Sequence, residues 1–263
     1  MTIEERLKQH YDSINIDGSK FLLSLQGSQN YGLSYKNSDI DTKMIVIPSL
    51  KEIALNKKQA SFTYVMENEE HCDVKDIRQM FMCFKKQNIN FLEVLFSKYQ
   101  IKNSYFEEEI EELFKLKEQI AHYDNYAFLN CCAGMSYEKF NALKKPYPTT
   151  KWKIDKWGYD GKQLHHIMRM ENFVVGYIKG LPFEECLTYF PIYPYEELME
   201  AKRNEYSLDK AESLALAAVE SLNKIRENYI KNTSRKIDSY VSEEMDNILV
   251  AVLKKELIKE VKE

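Results

Sequence analysis

The chain has 263 residues, enough for one large domain or two packed domains. Hydrophobic residues make up 44% of it, whereas only 8 glycines and 6 prolines are present, a composition typical of a helix-rich globular protein. The formal net charge of -4 argues against a protein that binds polyanions through its overall charge, although a local basic face is compatible with it.

The sequence favours a cytoplasmic location without membrane contact. Its first residues alternate charged and apolar side chains and lack the apolar run of a signal peptide. No later segment approaches the length of a membrane span. The five cysteines include no CxxC pair, and Cys131 and Cys132 are adjacent and cannot be joined without strain. We therefore expect neither a disulfide framework nor a zinc site.

Residues 1–103 mix strand and helix patterns. We expect a helix over residues 2–13, followed by two strands over residues 21–26 and 38–47. A hairpin of two further strands is expected over residues 61–66 and 70–74. A further helix follows Asp76, because Ile77, Met80, Phe81 and Phe84 share one helical face. This segment therefore predicts a small mixed sheet with helices.

Beyond about residue 104 the pattern is helical only. The predicted helices cover residues 104–119, 122–143, 159–179, 194–204, 207–230 and 234–262. One loop, residues 144–157, contains two prolines and two tryptophans. The sequence therefore predicts an α+β fold in two domains, an α/β core over residues 1–103 and a helical domain over residues 104–263.

A Gly-Ser pair and two aspartates carry the functional signal. Gly27 and Ser28 follow the first predicted strand, where backbone amides at a helix start would hold phosphates. Asp39 and Asp41 are two residues apart on the next strand and so share one face, where they could hold two divalent cations roughly 3.5–4 Å apart. Magnesium suits such an all-oxygen site, with manganese as an alternative. Singly, each pattern is usually only a turn or a solvated strand face.

Such a site needs a third carboxylate from another strand, which would complete the metal site and accept the acceptor hydroxyl's proton. Asp73 is the preferred candidate because it lies in the short strand-like run 70–74. Asp76 is the competitor, and it also occupies the position of a helix N-cap before Ile77.

These residues also carry a family resemblance. Gly27-Ser28 followed by Asp39-x-Asp41 resembles the DNA polymerase β nucleotidyltransferase superfamily, and the fuller string Gly-Ser-x-x-Tyr-Gly with Ser-Asp-x-Asp resembles its RNA-repair-associated bacterial and phage branch. Residues 88–96 resemble that branch's Asn-Pro-x-x-Leu-Glu element, with Phe91 where proline is common. Residues 158–169 resemble its Gly-Tyr-Asp-x-Lys-x-x-x-His-x-x-Arg helix. Over residues 20–180 the resemblance implies a small mixed sheet and magnesium-dependent nucleotidyl transfer.

Two later features bear on the substrate. Lys162, His166 and Arg169 form one helical stripe at i, i+4 and i+7, ordinarily a solvated surface, which the resemblance favours as a nucleotide or substrate contact. The segment from Tyr137 to Lys162 contains seven lysines and several aromatic residues but only three acidic residues. This composition is typical of surfaces that bind single-stranded nucleic acid. The alternative is a loop anchored by its tryptophans with its lysines in solvent.

The sequence thus predicts a nucleotidyltransferase that moves a nucleoside monophosphate from a triphosphate onto an acceptor hydroxyl and releases pyrophosphate. RNA is the favoured acceptor among RNA, protein, small molecules and other nucleotides, and the oligomeric state is left open. The competing hypotheses are a nucleotide- or RNA-binding regulator that keeps the fold without turnover, and a helical interaction module over residues 194–262.

Overall fold

The computed structural model describes residues 2–35 and 38–262. The chain forms two compact units, one comprising Met1–Asp124 with Ile237–Glu263 and the other Asn125–Lys236. The predicted boundary after residue 103 follows the change from mixed to helical pattern, whereas contacts group residues 104–124 and the last helix with the sheet. The mixed sheet in the front part and the helical remainder confirm the predicted α+β class.

The first unit is built on a five-stranded sheet. Its strands are β1 (Ser19–Gln26), β2 (Asp41–Ile47), β3 (Ser61–Val65), β4 (His71–Asp76) and β5 (Gln100–Lys102), in the order β3-β4-β2-β1-β5. β2 and β4 are parallel, whereas the other neighbours are antiparallel. The predicted hairpin is confirmed as β3 and β4. β5 was not predicted, because three residues are too few to show an alternating pattern.

The helices are α1 (Ile3–Ser13), α2 (Leu50–Ala54), α3 (Ile77–Lys85), α4 (Ile89–Leu92), α5 (Glu107–Lys115), α6 (Lys117–Ala121), α7 (Asn125–Ala142), α8 (Lys151–Trp157), α9 (Gly161–Ile178), α10 (Phe183–Cys186), α11 (Tyr195–Lys202), α12 (Leu208–Asn232) and α13 (Ser239–Lys262). α13 belongs to the first unit, where it packs against α3 and α5. Within residues 2–35 and 38–262, none of these helices combines the length and apolar character needed to cross a membrane.

The two faces of the sheet differ in chemistry. One face packs against α1 in a core that includes Leu7 from the helix and buried strand residues, namely Leu23, Leu25, Met44, Val46, Cys72 and Val74. Because successive strand residues point to opposite faces, the alternate positions of β2 and β4 lie on the other face. Those positions carry Asp41, Lys43, His71, Asp73 and Lys75 and, further along β2, the buried Ile45 and Ile47. This side of the sheet is therefore charged where Asp41, Lys43 and Asp73 lie, and we call that part the charged face.

Three local predictions were wrong. β2 begins at Asp41 rather than at residue 38, so Asp39 precedes the strand. Gly27–Gln29 is a single 3-10 turn and not the start of a longer helix. The predicted loop 144–157 contains α8, which ends at Gly158 with a positive φ of 80°. A glycine in this left-handed conformation is a common helix terminator, and it separates α8 from α9.

The predicted helix 104–119 is also divided, into a 3-10 turn (Ser104–Phe106), α5 and α6. Leu116 is both the C-cap of α5 and the N-cap of α6. The segment is therefore helical as predicted, but it forms separate short helices instead of one continuous helix. The predicted helix 234–262 begins five residues later, at Ser239.

The second unit is organised around α9, which packs against α7, α11 and α12. Its interior is aromatic: Phe128 stacks on Tyr177 at 4.0 Å between ring centroids, and Phe173 and Phe183 meet edge to face at 4.9 Å. At the start of α9, Gly161 lies directly against the backbone of α11. A Cβ atom there would overlap the carbonyl oxygen of Ala201.

We expect Gly161→Ala to destabilise the protein by about 1–3 kcal/mol, because the added methyl group overpacks a contact with rigid backbone. Gly134→Ala is the matched control, since this α7 glycine has open space around its Cβ position. Alanine there should be neutral or stabilise by roughly 0.5–1 kcal/mol. Urea unfolding of both variants measures the difference, and equal stabilities would contradict the packing described.

Candidate functional site

The Gly-Ser turn lies at the end of β1. Gly27 adopts φ 81°, and the turn closes through the amide of Asn30 to the carbonyl of Gly27 at 3.0 Å. The buried side chain of Asn30 donates to the carbonyl of Leu25 at 2.9 Å and anchors the turn to the strand. Gln26, immediately before the turn, pairs with Asp41 of β2. The turn and the first residue of β2 therefore share one end of the sheet.

Asp41 and Asp73 lie on neighbouring parallel strands and on the same face of the sheet. Their side chains are 51% and 49% exposed, so both can reach a ligand from solvent. The carboxylate of Asp41 is 3.4 Å from Nδ1 of His71. Asp73 accepts a hydrogen bond of 2.6 Å from the hydroxyl of Thr63 and lies 3.6 Å from Nζ of Lys43.

Asp39 is exposed and precedes β2, so it does not share the strand face in the way its spacing predicted. Across residues 2–35 and 38–262, no three histidine, cysteine, aspartate or glutamate side chains are grouped closely enough to hold a metal ion. The structure thus brings Asp41 and Asp73 onto one face and leaves Asp39 in the adjoining segment. All three supply carboxylate oxygens, the donor type that magnesium prefers.

The alternative third carboxylate, Asp76, has a structural environment. It is 1% exposed, caps α3 by accepting from the amide of Arg78 at 2.8 Å, and pairs with the Arg78 guanidinium at 2.7 Å. These bonds raise the pKa of Arg78. Asp76 also lies an odd number of residues from Asp73 on β4, and therefore on the opposite face. Its placement favours Asp73 as the third carboxylate.

Lys43 was missed by sequence reasoning. It is 5% exposed and lies on the charged face opposite Asp73, with Nζ 4.2 Å from the ring centroid of Phe91. Burial lowers the pKa of Lys43, and the nearby Asp73 partly offsets that effect. The two-residue spacing from Asp41 to Lys43 would have indicated it, because residues two apart on a strand share one face.

Two of the segments that carry the family resemblance meet at this face. Phe91 also lies under Lys75, at 5.1 Å from its Nζ to the ring centroid. Glu93, which is 3% exposed, accepts a hydrogen bond from the hydroxyl of Tyr31, four residues after Gly27. The element 88–96 therefore connects the Gly-Ser turn to the charged face, and Glu93 lies in a buried, hydrogen-bonded environment.

The predicted stripe of Lys162, His166 and Arg169 lies on α9 in the second unit. It is not a uniformly solvated surface, because Lys162 is exposed, His166 is partly buried and Arg169 is only 4% exposed. Burial, and then the positive charge of Arg169, hold the pKa of His166 well below its usual value. His165 points elsewhere: its Nδ1 is 2.9 Å from the carbonyl of Leu198, and burial lowers its pKa to about 4.

Further positive charge surrounds this stripe. Lys202 of α11 has a pKa lowered to about 8, first by burial and then by the charge of Lys162. Lys139 of α7 contributes to the lowered pKa of His166. Three helices of the second unit therefore bring cationic side chains together, an arrangement suited to an anionic ligand.

The lysine- and aromatic-rich segment combines both alternatives raised by its sequence. Tyr159 is fully buried and donates to the carbonyl of Tyr206 at 3.0 Å, which anchors the segment. Trp152, in contrast, is 57% exposed, and its ring centroid lies 5.5 Å from that of Trp157. An aromatic surface therefore remains in solvent beside several lysines.

The sequence model of the RNA repair pathway DNA polymerase beta family matches residues 2–169. The chain belongs to this family. The match includes the Gly-Ser turn, the three aspartates, the element 88–96 and the stripe on α9, and it confirms the resemblance. Membership in the family points to an enzyme of nucleotidyltransferase type with a nucleotide substrate.

One solved structure similar to the chain is that of a nucleotidyltransferase-like protein from Exiguobacterium sibiricum 255-15. It is 10% identical, with a TM-score of 0.33 over 85% of this chain and 73% of that one. No curated protein matches the chain.

The structural role of Asp76 can be tested by Asp76→Ala. We expect a loss of about 1–3 kcal/mol of stability, because the change removes an N-cap and leaves the partly buried Arg78 without its partner. Asp246→Ala is the control, since this side chain is 60% exposed in its pair with Lys85 and should contribute no more than about 1 kcal/mol. Thermal or urea unfolding compares the two, and a smaller loss for Asp76→Ala would refute the assignment.

Proposed function

We propose that the protein transfers a nucleoside monophosphate from a nucleoside triphosphate to an acceptor hydroxyl. The observation that carries this proposal is the placement of Asp41 and Asp73 on neighbouring strands and on one sheet face, with Asp41 at the end of the sheet where Gly27 and Ser28 turn. In a chain of this family, that placement supports phosphate binding next to metal-binding carboxylates.

In this proposal, Asp39, Asp41 and Asp73 hold two magnesium ions, or manganese in their place. The ions would supply charge neutralisation at the triphosphate. The amides of Gly27 and Ser28, with the Ser28 hydroxyl, hold phosphate oxygens. Asp73 accepts the proton of the acceptor hydroxyl, whose oxygen attacks the α-phosphorus in line while the bond to the departing pyrophosphate breaks.

For the second unit, we propose that residues of α9 bind an anionic ligand. Arg169 would clamp phosphate oxygens with its planar guanidinium, and Lys162 would act as a point charge. His166 would contribute a neutral ring, because its lowered pKa keeps it uncharged at neutral pH. The cations of α7 and α11 around the stripe support an anion as the ligand.

We expect Asp41→Asn or Asp39→Asn to abolish magnesium-dependent label transfer from an α-labelled triphosphate, and Asp73→Asn to reduce it at least a hundredfold, within the range attributed to proton transfer. Neutral asparagine keeps the side-chain size but removes the charge. Asp246→Asn, an exposed aspartate of the same unit, is the control and should retain activity. Full activity in both Asp39 and Asp41 variants would defeat the mechanism.

One observation favours the second candidate, a nucleotide-binding regulator without turnover. Both oxygens of Asp73 already have protein partners, Thr63 and Lys43, which would compete with a metal ion. The same labelling experiment separates the candidates, because a regulator would bind the triphosphate without releasing pyrophosphate.

RNA is the acceptor class that we propose, on the basis of Trp152 and its neighbouring lysines. Stacking of one base is worth about 1–3 kcal/mol, so Trp152→Ala should raise the Kd of a single-stranded RNA oligonucleotide roughly 5- to 150-fold. Tyr195→Ala is the matched control, an exposed aromatic of the same unit at 43% exposure. Fluorescence anisotropy measures the Kd of each variant and of the unchanged protein. If Trp152→Ala binds the oligonucleotide as tightly as the unchanged protein does, Trp152 is excluded as a stacking platform.

A further inference from the structure

A buried carboxylate lies behind the predicted metal ligands. Glu70, directly before β4, is 1% exposed. Its Oε1 accepts a hydrogen bond of 2.7 Å from the backbone amide of Ile40, the residue between Asp39 and Asp41. The strand ladders reach β2 only from Asp41 onward, so Glu70 holds the segment that the ladders do not.

Helix α1 holds this carboxylate in place. Arg6 donates from Nε to Oε2 of Glu70 at 3.3 Å, and its guanidinium also contacts Oε1. His10 contributes Nε2 at 3.2 Å from Oε2, and Asn68 donates to the same oxygen at 2.8 Å. The carboxylate therefore has partners on both oxygens and little freedom to move.

His10 extends this network to the other side of Asp41. Its Nδ1 is 2.8 Å from the hydroxyl of Thr42, the residue after Asp41. Burial lowers the pKa of His10, so the ring is neutral at physiological pH. The network then assigns the proton to Nε2, which donates to Glu70, and leaves Nδ1 to accept from Thr42. We call this set, Arg6, His10, Ile40, Thr42 and Glu70, the Glu70 brace.

The brace fixes the backbone on both sides of Asp41 from the face opposite its side chain. A buried ion pair adds little net stability compared with apolar residues of similar size, so stability alone does not account for this arrangement. Groups that orient metal ligands, in contrast, typically change metal affinity 10- to 100-fold when removed.

We propose that Glu70 is a positioning residue that fixes the relative placement of Asp39 and Asp41 and thereby sets their affinity for divalent cations. This inference rests on the proposed function, because it concerns the metal ligands assigned there. It adds a residue that neither the aspartate spacing nor the Gly-Ser turn indicated.

The test measures Mn²⁺ binding to the full chain by electron paramagnetic resonance, with no nucleotide present. Glu70→Gln should weaken binding roughly tenfold or more, because the amide group cannot accept from Arg6, His10 and Asn68 together. Glu256→Gln is the matched control: Glu256 is also 1% exposed and accepts a 2.8 Å bond from Ser19, on the strand β1. It should keep Mn²⁺ affinity within about twofold even if both variants melt at lower temperature.

Thr42→Val tests the brace with a milder change, in case Glu70→Gln does not fold. Loss of the hydroxyl should weaken Mn²⁺ binding on the order of threefold, and Thr42→Ser should restore it, because serine keeps the bond to His10. In label transfer, both disruptive variants should raise the magnesium concentration for half-maximal rate, and saturating magnesium should restore kcat. A general loss of folded protein would instead lower kcat at every magnesium concentration.

The outcomes separate the two proposals. If Asp41→Asn loses Mn²⁺ while Glu70→Gln and Thr42→Val bind it like the unchanged protein, the positioning role is refuted and the metal ligands stand. If the unchanged protein does not bind Mn²⁺, or Asp41→Asn binds it equally well, the proposed metal site itself fails and the positioning role fails with it.

Discussion

The parallel pairing of β2 with β4 determines which side chains can share a site. Lys43 is opposite Asp73 in this register, and Thr42 is opposite Cys72. If either strand shifted its pairing by one residue, all side chains of that strand would point to the opposite face. Its aspartate would then lie in the core against α1, and its apolar residues would leave that core. The hydrophobic packing of one face therefore fixes the chemistry of the other, and the carboxylates owe their placement to residues they never contact.

The buried ammonium group of Lys43 on the charged face is stabilised by its immediate neighbours instead of by water. Lys43 loses most of its hydration, which is costly for an ammonium group unless other charges or π faces compensate. Asp73 supplies an opposite charge and Phe91 an aromatic face, the latter worth roughly 0.5–2 kcal/mol. The same lysine lies two residues after Asp41 and opposite Asp73 in the register.

The sequence was most informative where local pattern and tertiary structure agree. The hairpin and the placement of Asp73 on a strand were predicted from the local pattern, and the capping role of Asp76 from its position before Ile77. The start of β2 could not be predicted, since the amide of Ile40 is bonded to a carboxylate 30 residues away. The burial of Arg169 likewise depends on the helices packed around α9, which its spacing does not reveal. These two misplacements concern residues whose surroundings are set by segments distant in sequence, whereas the short turn Gly27–Gln29 and α8 were missed although their hydrogen bonds are local.

The segment before β2 has an exposed side chain at Asp39 and a backbone held by a buried hydrogen bond at Ile40. A carboxylate inside a strand is held by hydrogen bonds to the strands on both sides. Asp39, in contrast, lies outside β2, and the backbone next to it is held by the hydrogen bond that the amide of Ile40 donates to Glu70. Such a residue can turn toward a ligand that arrives from solvent, and the buried bond limits how far its backbone moves. Because Glu70 is held by Arg6 and His10, that limit is set by the docking of α1 on the sheet. The first helix therefore belongs to the candidate site as a support, although none of its side chains lies on the charged face.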